Sequence, residues 1–60
     1  MFKELINLLI DHQWQFEVFY KDEAYCEGYA VSFIYTNDNP VIEANDTERI
    51  KEYIELIKNH

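Results

Sequence analysis

The sequence predicts a small α+β fold: a two-layer α-β-β-β-α arrangement in which a three-stranded antiparallel meander carries two helices on one face. Three observations predict it. Apolar residues recur at helical spacing near both ends of the chain, they alternate with period two through the middle, and turn-forming residues separate the runs. With 60 residues the chain is expected to be a single domain, residues 1–60, and two layers around one core are what that length supports.

Phe2, Leu5, Ile6 and Leu9 fall at i, i+3, i+4 and i+7, with Lys3, Glu4, Asn7 and Asp11 opposite them, which predicts an amphipathic helix over residues 2–11. Leu8 and Ile10 widen its apolar face to about 200°, more than packing on one sheet requires. From Trp14 the period becomes two. Trp14, Phe16, Val18 and Tyr20 point one way and Gln15, Glu17, Phe19 and Lys21 the other, the pattern of a strand with one buried face. Residues 21–27 read as a hairpin loop ended by Gly28, the residue able to take positive φ there.

A second alternating run, residues 29–36, is apolar on both rows and is predicted to be the central strand. Asn37-Asp38-Asn39-Pro40 reads as a turn, because Asn and Asp tolerate positive φ and Pro40 holds Asn39 extended. A short strand over residues 41–44 follows. Asn45 or Asp46 then offers an N-cap, with Glu48 three residues after Asn45 as a capping-box-like partner. Ile50, Tyr53, Ile54 and Ile57 carry the stripe of a second helix over residues 47–58, with acids at its start and Lys58 near its end, as the macrodipole favours.

Composition narrows the function. One Trp, five Tyr and four Phe give a short chain enough ring area to build a core, so a net charge of −7 does not imply disorder. The single cysteine, Cys26, cannot form an intrachain bridge, which points to a reducing cytosol. The longest purely apolar run is Leu8 to Ile10, so neither a signal peptide nor a membrane span is expected.

No catalytic residue, metal site or cofactor is expected. Cys26 could take His12 or His60 as a base, but the first ends a helix fourteen residues away and the second is read as a frayed terminus. The acids match no recurrent metal-ligand spacing, and a single glycine excludes a phosphate-cradling loop. Twelve acids against five bases argue against direct nucleic-acid binding.

Protein recognition is what this chemistry suits. Tyrosine combines large, fairly rigid contact area with a polar tip, and acids steer a surface toward a basic partner. The expected protein-binding residues are Tyr20, Asp22, Glu23, Tyr25, Glu27 and Tyr29 on the hairpin, joined by Glu48, Glu52 and Glu55 on the second helix. A homodimer is the second expected association, through Leu8 and Ile10 or through an edge strand. Leu8 and Ile10 could instead pack on the connection to Trp14.

The runs FKELINLLIDHQWQFEVFY and YAVSFIYTNDNPVIEANDTERIKEYIELIKN resemble, in element order and acidity, small phage anti-CRISPR proteins of the type II-A group. Those place a helix, a meander and a further helix in the same order, and block Cas9 as DNA mimics in its PAM-reading cleft. The acid-rich extension that such inhibitors can use after the second helix is not in this chain. The resemblance therefore implies the broader class: small acidic phage-encoded proteins that bind and inhibit a host defence or nucleic-acid-handling protein. The alternative is a bacterial housekeeping or immunity-type module that binds a cognate protein without catalysis.

Overall fold

Helix α1 runs from Phe2 to Asp11 and buries Leu5 and Leu9 completely, with Phe2, Ile6 and Leu8 half-buried beside them. Its end is a Schellman motif that the sequence reading did not anticipate. The Trp14 N–H donates to the Leu9 carbonyl at 2.9 Å and the Gln13 N–H to Ile10 at 3.0 Å, with Gln13 left-handed at φ 59°. Glutamine thus stands where glycine is the usual occupant. The tight reversal places Trp14 in the connection, and the first strand begins at Phe16 instead.

The computed structural model describes the backbone at residues 1–23 and 26–60 and the side chains at residues 1–22 and 28–60. Three antiparallel strands, β1 (Phe16–Glu23), β2 (Cys26–Phe33) and β3 (Val41–Glu43), lie in the order β1-β2-β3, so β2 is central as expected. Its limits are not those expected. The β1–β2 ladder continues through Lys21↔Gly28, Asp22↔Glu27 and Glu23↔Cys26, so most of the presumed loop is paired strand. Lys21, Asp22, Glu23 and Glu27 place polar residues on both rows of this ladder, and for that reason local composition resembled a loop. Gly28, at φ +143°, lies inside β2 opposite Lys21 and not at a loop end.

At its other end β2 stops at Phe33, not at residue 36. Tyr35 and Asp38 exchange backbone hydrogen bonds of 3.0 and 2.8 Å around Thr36 and Asn37. The positive φ of this turn, 52°, falls on Thr36 and not on an Asn or Asp. Positive φ at the first central position alone is the type II′ pattern, which normally takes glycine there. Beyond the turn β3 is one residue shorter than expected, although the Ala44 N–H still donates to Tyr29 at 2.9 Å.

Helix α2, Thr47–Lys58, matches the expected limits. Asp46 is the N-cap, its carboxylate accepting from the Arg49 N–H at 3.4 Å. That makes Arg49 the third helical residue, so the Asn45–Glu48 capping box does not form. Ile50, Ile54 and Ile57 point inward and meet Leu5, Leu9, Val31, Phe33 and Ile42 in one apolar core. Val31, Phe33 and Ile42 share one sheet face, since Val31 pairs with Ile42 across the ladder, and both helices cover that face.

Element lengths shape the molecule. Eight paired residues make a ribbon of about 27 Å. The helices, of 10 and 12 residues, extend only about 15 and 18 Å. The ribbon therefore outruns its cover, in keeping with extents of 35 × 19 × 19 Å. Phe16 packs against the core, whereas Val18 and Tyr20, on the face expected to be buried, are 43% and 51% exposed.

Phe33 sits at the centre of the core, and Phe33→Ala should cost about 3–5 kcal/mol, comparable to the whole stability of a domain this size. Chemical denaturation should find the variant largely unfolded, while Val18→Ala stays within about 1 kcal/mol of the parent. Gln13→Gly should do the opposite and stabilise by about 0.5–1 kcal/mol, because glycine accepts the left-handed conformation without steric cost. A thermal melt would show that as a rise of about 2–8 °C.

Candidate protein-recognition surface

Where the ribbon passes beyond the helices, its residues no longer contribute to the core. Tyr20 and Tyr29 stand directly opposite each other, and their rings meet edge-to-face at 5.2 Å and 74°. The Tyr29 carbonyl accepts from the Ala44 N–H on the β3 side, which makes Tyr20–Tyr29 a non-hydrogen-bonded pair across β1 and β2, the kind that brings side chains closest. Both rings remain more than half exposed. Asp22, exposed and two residues further along β1, lies on the same face.

Lys21 lies on the opposite face. Its Nζ donates to Glu43 Oε1 at 3.1 Å, reaching across β2 to tie the ribbon to β3. The backbones of Glu23 and Glu27 belong to the ladder, but their side chains, and Tyr25 as a whole, lie outside the described residues.

Glu48, Glu52 and Glu55 are exposed and line up at i, i+4 and i+7 on the outer face of α2. Lys51 and Lys58 share that face, so the stripe has mixed charge and is not a continuous acidic surface. The turn into α2 is bonded to Tyr29 through Ala44, which brings the start of the helix toward the ribbon. Glu48 is in the first helical turn, while Glu55 lies about 10 Å further along the axis. The fold thus groups Tyr20, Tyr29 and Asp22 at one end with Glu48 nearest, and carries Glu52 and Glu55 away from them.

Of the two residues considered for association through α1, Leu8 is half-buried against the core, whereas Ile10 is 55% exposed. Leu8 thus packs in part within its own chain, and Ile10 is the more outward of the two.

A second aromatic group escaped the sequence reading. Trp14 stacks on Tyr35 at 5.3 Å and 22°, and His60 meets both rings, at 5.2 and 5.5 Å. Tyr53 meets Phe33 and Tyr35 edge-on at 5.5 and 5.8 Å, and the Arg49 guanidinium lies 5.9 Å from the centre of the Tyr53 ring. His60, expected to fray, is exposed but lies edge-on against the Trp14 and Tyr35 rings. No local pattern links positions 14, 35, 53 and 60; they meet only because α2 returns along the sheet to the end where β1 begins.

Among the described residues no group of three or more His, Cys, Asp or Glu is placed to hold a metal ion, and no helix is long and apolar enough to cross a membrane. Comparisons with protein-family models, curated proteins and solved structures returned no match.

If His60 is a working part of the aromatic group, a double-mutant cycle of Trp14→Leu and His60→Ala should show a coupling of about 0.5–1.5 kcal/mol in denaturant melts. Additive effects would return His60 to the status of a loose end.

Proposed function

We propose that this chain is a small acidic protein of the phage-encoded inhibitor type, which binds a host defence or nucleic-acid-handling protein in the bacterial cytoplasm and acts by contact, without catalysis. One observation carries the reading: the edge-to-face pair of Tyr20 and Tyr29 is held outside the core on a protruding ribbon. Large rings that the fold does not use internally suit an interface anchor. Asp22 beside them, Glu48 nearby and a net charge of −7 favour a basic partner surface and faster encounter with it. The resemblance to small acidic phage inhibitors in element order supports the same class.

The mixed stripe on α2 favours a second reading. Acids interleaved with Lys51 and Lys58 give that face little net steering, as in a housekeeping or immunity-type module whose cognate partner is recognised by shape.

The two readings separate on salt. Affinity capture from a bacterial lysate, quantified by mass spectrometry at low and high salt, should recover a partner with the parent chain. The Tyr20→Ala/Tyr29→Ala variant should recover about tenfold less or below, and reversal of Asp22, Glu23 and Glu27 should weaken capture most at low salt. Capture that ignores salt and these charges would favour the cognate-module reading. Undiminished capture by the double-alanine variant would take the ribbon out of the mechanism.

A further inference from the structure

The two edges of the sheet are treated differently. β3 is three residues long, follows Pro40, and has its Val41 carbonyl occupied by the Arg49 guanidinium at 3.1 Å. β1 is eight residues long and contains no proline. Its pairing shows which backbone groups face outward. Tyr29 and Phe33 bond to the β3 side, through Ala44 and Pro40, and Val31 between them does the same. Phe16 and Val18, which stand opposite Phe33 and Val31, therefore turn their N–H and C=O groups away from β2. No turn backbone or side chain among the described residues bonds to them. Val18 is 43% exposed, so the helices leave this stretch open as well. Such an edge is a template for another strand.

We propose that this edge, from Phe16 to Phe19, takes an extended basic segment of the partner protein inferred above, added antiparallel to the sheet as a fourth strand. Charge decides between that occupant and a second copy of this chain. Glu17 is exposed and has no ion pair among the described residues. Lys21, the one cation on β1, is held by Glu43 across β2, so a second copy paired through β1 brings Glu17 no cation. A two-fold axis at Glu17 would set two glutamates against each other, and one at Val18 would set Glu17 against Phe19. Either joins two chains that each carry a net charge of −7. The edge thus resists its own copy, whereas a foreign strand with Lys or Arg opposite Glu17 gains an ion pair there.

Period two specifies the rest of the occupant. A residue opposite Glu17 lies on the sheet face away from the helices, and its two neighbours lie on the helix face beside Phe16 and Val18. The segment that fits therefore alternates cationic with apolar side chains. Backbone hydrogen bonds to Phe16 and Val18 supply attachment, and the alternation supplies selectivity.

The test is a titration of the isotope-labelled full chain with a synthetic octapeptide alternating lysine and valine. The peptide should bind with a dissociation constant of about a millimolar or below, and should protect the Phe16 and Val18 amides from hydrogen exchange. N-methylation of its valines, which stand opposite Phe16 and Val18, should abolish binding, whereas N-methylation of its lysines should spare it. A peptide with glutamate in place of lysine should not bind. Glu17→Lys should weaken binding about tenfold, while Glu4→Lys, the same charge change at an exposed site on α1, should leave it within about twofold. No binding, binding indifferent to valine methylation, equal loss from Glu4→Lys and Glu17→Lys, or a parent chain whose Phe16 and Val18 amides are already covered in a dimer would each overturn the proposal. Should Glu17→Lys fail to fold, the methylated peptides decide on the parent chain alone. The titration uses neither lysate nor the Tyr20 and Tyr29 substitutions, so its failure leaves the ribbon reading standing, and an empty lysate capture leaves the edge standing.

Discussion

The packing of Val31 and Phe33 on the central strand is the interaction on which the rest depends. These two side chains, extended by Ile42 across the ladder, form the only sheet surface that both helices share within the described core. Leu5 and Leu9 reach it from α1, and Ile50, Ile54 and Ile57 from α2. Every fully buried side chain that is described is apolar, so the core relies on area and fit, without buried hydrogen bonds to give it direction. In a chain of 60 residues that leaves little redundancy.

The length mismatch between sheet and helices follows from the same constraint. The helices need only cover the Val31–Phe33 region, while the β1–β2 ladder continues for as long as paired backbone is favourable. Past the helices the ribbon's Tyr20–Tyr29 face meets solvent. Tyr20 and Tyr29, which would be core residues in a shorter meander, become surface residues paired with each other. Lys21 and Glu43 brace the ribbon from the other face, a partly exposed ion pair that contributes orientation more than stability.

The opposite end of the molecule is built from rings in place of strands. Trp14 is set by the Schellman reversal after α1, Tyr35 by the tight turn after β2, and Tyr53 and His60 by α2. Two left-handed residues, Gln13 and Thr36, occupy the reversals that make this convergence possible. Neither is the residue type that such backbone normally selects. Tertiary packing of Trp14 and Tyr35 evidently outweighs the local cost of about 1–2 kcal/mol at each reversal.

The sequence by itself determined both helices to their ends, the number of strands, their antiparallel order and most of the core, because amphipathic periodicity is a local property that survives in one dimension. Leu5, Leu9, Val31, Phe33, Ile50, Ile54 and Ile57 were legible in this way, and Tyr20 and Tyr29 were legible as ring-bearing residues beside acids. Tertiary structure alone decided where the ladder ends, because strand pairing is a contract between two segments and neither shows it separately. That is why residues 21–27 looked like a loop, and why Val18 and Tyr20, with the right period for burial, ended in solvent. It also decided that His60 meets Trp14, since the contact joins residues at opposite ends of the chain and depends on the direction in which α2 returns across the sheet.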